Sequence, residues 1–410
     1  MKNKNSVSLL ARRVSLTLCT AIIAVASSNS AQAQNWRFEP IVRVGGEYDD
    51  NATLSIRTDQ EVDATGYLVD LKADINYTSN TNTFFLQPRA LIKNYPDETV
   101  FDSDDLFLRS EFRHEGQSND FGFRVKFEEE ATRTAERAVS DIDIDDPDDI
   151  GDDESGEAVL FGTRTKWQIS PYWDYQLSDI SSIGAAVNYY DVQYDDQIAN
   201  RLADYSDARL NLNYRRKFSN VNTALLTVTT RNYDADDAFD DITGYGLMAG
   251  FENALSQKTR LRAMVGFEQT EQYGFSSDTS PTGFINISRN LETIRMFAQY
   301  RRSVSASGAG RLTARDSLNI NFRRRLSEKM SAGLGVRAYQ TKGIGDETPV
   351  DDRDYVQLHS SFLWYLSRAL IVEAEYRYTV NDRSAAVGER ANSNQINLWF
   401  AYQPKTIPKY

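Results

Sequence analysis

The run VQLHSSFLWYLSRALIVEAEYRYTV, residues 356–380, decides the fold. In its second half Leu370, Val372, Ala374, Tyr376, Tyr378 and Val380 share one parity, and Ile371, Glu373, Glu375, Arg377 and Thr379 share the other. A helix of 3.6-residue period would scatter these sets around its circumference, whereas a strand sorts them onto opposite faces. The first half does the same: Val356, Leu358, Phe362, Trp364 and Leu366 alternate against Gln357, His359 and Ser361, and Ser367-Arg368 supplies a short turn. One face of this hairpin suits an apolar medium and the other suits water.

Working outward, the design recurs. Alternating segments run over 38–44, 67–77, 84–92, 106–112, 121–127, 159–169, 183–194, 207–218, 223–233, 243–255, 260–269, 283–288, 294–304, 312–326, 330–339 and, after the hairpin, 394–402. Pro88 falls on the apolar parity of its segment and predicts a local break in pairing. Turn length alternates as well. Short turns (Ser219-Asn220, Gln257-Lys258, Ser327-Glu328-Lys329, Ser367-Arg368) fall at every second connection, and the others are longer and rich in Asp. About 18 antiparallel strands, an even number with short turns at one end and long loops at the other, predict an all-β transmembrane up-and-down barrel.

The address agrees with that fold. Lys2, Lys4, Arg12 and Arg13, the apolar stretch from Val14 to Ala26 and Ala31-Gln32-Ala33 form a cleaved export signal over residues 1–33, leaving 34–410 as one barrel in the bacterial outer membrane. The apolar stretch is too short for a spanning helix, which needs about 20 residues. The sole cysteine, Cys19, lies inside this signal, so the mature chain has neither disulfide nor thiol chemistry. Mean hydropathy is −0.53, a value that a barrel tolerates because its strands hide their apolarity in alternation. The net charge of −13 argues against nucleic acid as a partner.

Three features carry this layout toward a family. The early Glu47-Tyr48-Asp49-Asp50-Asn51, the run Ile169-Ser170-Pro171-Tyr172 through Tyr175-Gln176-Leu177-Ser178, and Tyr189-Tyr190-Asp191-Val192 resemble the putative porin-2 type of β-barrel, which includes outer-membrane proteins associated with exopolysaccharide and exosortase gene clusters. The resemblance implies an outer-membrane barrel serving polysaccharide export and no defined chemistry. The chain departs from many such barrels in extending beyond Tyr402 through Gln403 to Tyr410. Either Tyr410 or the Phe400/Tyr402 pair is then the signal read by the assembly machinery.

On the inward parity, cations outnumber anions. Arg209, Arg215, Arg323, Arg325, Arg337 and Arg377 are the anion-contact candidates, with Glu373 and Glu375 as acidic partners. Rings of Arg favour anions in a pore, and a guanidinium grips carboxylate or phosphate with two parallel bonds. Two readings stay open: a channel for anionic solutes or acidic polysaccharide, and a non-conducting structural or adhesion barrel closed by Arg–Glu pairs. A long acidic external loop near 131–156 spaces Asp141, Asp143, Asp145 and Asp152 like a calcium loop. Asp146 stands there where glycine is required and Asp152 where Glu is usual, so these are weak metal ligands. The expected partners are membrane lipid and lipopolysaccharide, the assembly machinery and an export complex; no cofactor is expected beyond calcium at the loops. Only His114 and His359 are present, and no nucleophile, base and orienting group converge, so the chain is not expected to be an enzyme.

Overall fold

A computed structural model describes residues 36–137, 162–195, 202–236, 239–272, 277–308, 310–344, 353–383 and 390–404. The signal at 1–33, Asp141, Asp143, Asp145, Asp152 and Tyr410 therefore lie outside the described residues. Eighteen antiparallel strands follow one another: β1 (36–49), β2 (64–78), β3 (82–94), β4 (103–115), β5 (119–131), β6 (163–178), β7 (181–194), β8 (205–217), β9 (222–235), β10 (239–256), β11 (259–272), β12 (278–290), β13 (294–307), β14 (311–327), β15 (330–343), β16 (353–365), β17 (370–383) and β18 (390–402). Each pairs with its neighbours in sequence, and β1 pairs with β18, so the sheet closes. A short helix, α1 (Thr132–Arg137), follows β5.

The alternation read from sequence sets the two faces. Tyr67, Trp167, Val265, Leu334, Phe400 and other large apolar side chains are exposed on the outside, while Asp70, Asp105, Arg164, Asp207, Arg231 and Arg337 are buried on the inside. Closure satisfies every strand edge, which only helices and closed barrels achieve in lipid. The chain is a transmembrane barrel of the outer-membrane kind, with an even number of strands and an apolar outer band.

Strand prolines mark where the ladder opens. Pro88 sits in β3, and pairing to β2 lapses between Arg89↔Lys72 and Leu86↔Ile75 without a change of register. Pairing from Pro88 to Leu108 on the other side continues. Pro171 does the same on the β7 side of β6, between Ile169↔Tyr189 and Tyr172↔Ala186. A missing N–H opens one side of a strand only. At the seam, β18 ends opposite Val42, and Pro40 is the next residue of β1 whose N–H would have faced a vacant edge.

Two expectations are corrected. β6 begins at Thr163 and runs through Pro171 to Ser178, because the outward Trp167, Ile169, Trp173 and Tyr175 continue the alternation past the proline. The loops at the long-loop end are not uniformly long: 236–238 and 308–310 join β9 to β10 and β13 to β14. Asp234 and Asp241, expected in a loop, lie in strands, as does the outward-facing Asp354.

Candidate functional site

The lumen is built from two kinds of wall. From β1 to β9 several inward carboxylates accept from guanidinium groups on their own or an adjacent strand. Arg89 donates to both oxygens of Asp70 (2.9 and 3.2 Å), and Arg43 stands 3.7 Å from the same group. Glu111 accepts from Arg109 and from Arg124 at 2.7 Å. Arg164 bonds Glu130 at 2.6 Å and Glu128 at 3.4 Å. Asp207 takes two bonds of 2.8 Å from Arg231 and a third, of 3.2 Å, from Arg209. Charge-assisted bonds of this length contribute roughly 1.5–3 kcal/mol each.

From β13 to β16 the inward parity carries Arg295, Arg301, Arg315, Arg323, Arg325, Arg337 and Arg353, and no carboxylate among the described residues. Rings and amides stand beside several of these arginines. Tyr339 and Tyr355, directly opposed on β15 and β16, stack at 4.8 Å with planes 14° apart. The Arg315 guanidinium lies 4.1 Å from the Tyr339 ring, and Arg353 lies 5.4 and 5.3 Å from the two rings. Arg353 Nε also donates to Asn381 Oδ1 at 2.7 Å, and Gln357 Nε2 donates to the Tyr355 hydroxyl at 3.0 Å.

The end of the β13–β14 hairpin leaves the wall and leans across the lumen. Pairing of β13 with β12 stops at Arg302↔Gly283. Pro281, two residues earlier on β12, lacks the N–H that would hold the next residues of β13. The freed end packs on the inner face of β9 and β10, three to five places away: Val304 and Leu312 join Tyr233, Ala235 and Ile242 in an apolar cluster. The Val304 carbonyl accepts from both Arg209 and Arg231 at 3.1 Å, and Ala203 N–H donates to Gly308 O at 2.8 Å. Beside the hairpin lies a cavity of about 380 Å³. Arg124, Lys126, Lys166, Arg209, Arg262, Arg301 and Arg302 line it, against Asp207 and Glu268, and Arg262 and Arg301 both approach the Phe284 ring, at 5.3 and 5.6 Å.

The Glu47–Asn51 motif forms a knot at the long-loop end. Arg133 of α1 lies against the rings of both Tyr95 (5.4 Å) and Phe101 (4.6 Å) and donates to Ala52 O at 3.1 Å and to Asp49 at 3.3 Å. The Tyr95 hydroxyl donates to Glu47 at 2.6 Å. Gly66 lies under that ring, where a Cβ would come within 2.6 Å of it. Ser393 and Asn394 of β18 bond to Asp49 and Asp50 at 2.7 Å, tying the closing seam.

The candidate residues are dispersed around this lumen. Arg209 joins the Asp207 cluster, and Arg337 is buried in the stacked wall 6.0 Å from Tyr339. Arg323 faces Arg295 across β13 and β14, and Arg325 stands two residues nearer the short-turn end, exposed like Arg215 on β8. Arg377 bonds its own-strand neighbour Glu375 at 3.0 Å, and Glu373 lies 3.5 Å from Arg43. His359 sits opposite Gly335, which leaves room for its ring. The sequence reading overlooked inward Asp49, Asp105, Glu130, Asp207, Arg231 and Arg353. Asp207 and Arg231 share the parity of their strands' other inward residues, so alternation alone was sufficient to find them; the rest lie at strand ends beyond the apolar pattern.

No family model matches the chain, that of the porin-2 type included, and no curated protein matches it. Among solved structures it is similar to OpdO of Pseudomonas aeruginosa, at 11% identity and a TM-score of 0.44, over 91% of this chain and 98% of that one. OccK5 (OpdH) of the same organism gives 9% and 0.45 over 92% and 100%. The outer membrane channel DcaP of Acinetobacter baumannii gives 12% and 0.44 over 90% and 97%.

Proposed function

We propose that this barrel is a porin-like channel that passes anionic solutes, among them the carboxylate-bearing units of an acidic exopolysaccharide. The observation that carries the reading is the sign of the lumen. Seven cations surround the cavity beside the hairpin against two carboxylates, and the inward parity of β13–β16 carries arginine without acid among the described residues. Such surfaces lower the energy of an anion in transit and hold carboxylates bidentately. The hairpin narrows the passage, which suits a selective channel more than a wide pore.

Planar-bilayer conductance with a salt gradient tests this. The expected result is steady conductance with a reversal potential of anionic sign, lost or inverted when Arg323, Arg325 and Arg377 are all changed to Glu. The inward hairpin also favours a second reading, a closed structural or adhesion barrel. That reading predicts no steady conductance and a triple variant that loses stability instead.

A further inference from the structure

We propose that the outer face of β13–β18 binds a phosphorylated, multi-acyl saccharolipid of the outer leaflet. A groove of about 420 Å³ opens there on the lipid-facing side. Its floor is a cross-strand row in direct register, Tyr300–Leu318–Ala338–Val356–Val380. Ala338 is its smallest member and forms the notch. Acyl chains fill such a notch by the same apolar burial that covers the rest of the outer band.

One step toward the long loops the surface changes character. Arg302, Asp316, Gln340, Asp354, Asp382 and Arg390 are consecutive cross-strand neighbours, one per strand over six strands. The row spans roughly 24 Å at the usual strand spacing, several acyl chains wide. Its members are held in place: Arg302 donates to Asp316 at 2.8 Å, Tyr300 to Asp316 at 2.6 Å, Gln340 to Asp354 at 2.8 Å and Arg390 to Asp382 at 3.0 Å.

The charges choose the occupant. The guanidinium groups at the two ends of the row suit phosphate. The three carboxylates between them outnumber the guanidiniums and repel a simple anionic phospholipid, yet accept from hydroxyl groups. A headgroup with both phosphates and sugar hydroxyls satisfies both, and its chains continue onto the Ala338 floor. Arg302 also borders the lumen cavity where the hairpin leaves the wall, but Asp316, Gln340, Asp354, Asp382 and Arg390 lie on the parity opposite to the lumen wall, so the inference does not rest on the channel reading.

The test is native mass spectrometry of the refolded barrel with lipopolysaccharide and, separately, phosphatidylglycerol. Four proteins are compared: wild type, Ala338→Phe, Arg302→Gln with Arg390→Gln, and Val265→Phe on the bare outer face of β11. The expectation is retained lipopolysaccharide in wild type and Val265→Phe. Retention in the other two variants should be about tenfold lower, the scale of one lost charge-assisted or apolar anchor. Equal retention in all four, or phosphatidylglycerol held as well as lipopolysaccharide by wild type, overturns the proposal. The double Arg variant keeps the test decisive if Ala338→Phe disturbs folding, which heat-dependent gel migration reports.

Discussion

Arginine does different work on the two sides of this lumen. On β1–β9 it meets carboxylates directly opposite, as Arg124 faces Glu111 and Arg164 faces Glu130, or on the diagonal, as Arg231 reaches Asp207. On β13–β16 the register sets arginine beside tyrosine, serine and amides: Ser303 opposite Arg315, Gly335 and Gln357 opposite Asn321 and Arg337. There the Arg315 guanidinium lies over a ring, an attraction worth roughly 0.5–2 kcal/mol. The residue type decides that a wall carries guanidinium groups; the neighbouring strand decides whether the inward side chain beside each is a carboxylate or a ring.

Removing one partner from the paired side should give the largest effect. Arg231→Ala leaves Asp207 buried with Arg209 alone and should cost about 3–5 kcal/mol, the range for breaking a buried pair, read from the denaturant midpoint of the refolded barrel. It also frees one of the two donors to the Val304 carbonyl, so unitary conductance should rise. Asp207→Asn combined with Arg231→Gln, which removes both buried charges and leaves only the partly exposed Arg209, should recover most of the stability. A loss below about 1 kcal/mol for Arg231→Ala, the value of an exposed pair, would erase the distinction between the walls.

The stacked side should respond less and differently. Tyr339→Leu removes the ring beside Arg315 but no charge. Stability should fall by about 1–2 kcal/mol, within the range of a desolvated cation–π contact, while the anionic sign of the reversal potential persists. Arg315→Leu should reverse that pattern, weakening anion preference with a smaller change in stability. If both variants shift the reversal potential equally, the rings act on the solute and not on the wall.

How much of this was legible in the sequence follows from what alternation encodes. Period two gave all eighteen strands, because Leu370 to Val380 and its counterparts each display two faces of opposite polarity. It also placed Arg209, Arg337 and Arg377 inside. Strand ends were cut short wherever apolar residues gave way to polar ones, which hid Asp49, Asp105 and Glu130. The inward lean of the β13–β14 hairpin was not readable, since it depends on Tyr233, Ile242 and Leu312 meeting across several strands. Pro281 was its one local sign. Register, which makes one wall paired and the other stacked, is a property of neighbouring strands and is invisible along a single one.

The knot at Arg133 joins both modes, two rings and two carboxylates around one guanidinium, and offers the finest test. Burial first, and then the Glu47 carboxylate it donates to, hold the Tyr95 hydroxyl protonated well above its ordinary value of 10. The unfolded chain releases that proton near pH 10 and the folded knot does not. Stability from this group is therefore complete below pH 10 and declines as pH climbs beyond it. Tyr95→Phe should cost roughly 1.5–3 kcal/mol at neutral pH, the value of a lost bond to a charged group, and should abolish this group's share of the alkaline decline. Wild type and variant then converge above pH 10. If instead they stay separated by a constant amount, the ring alone stabilises the knot and the carboxylates contribute little, which would bring Arg133 closer to the stacked wall than to the paired one.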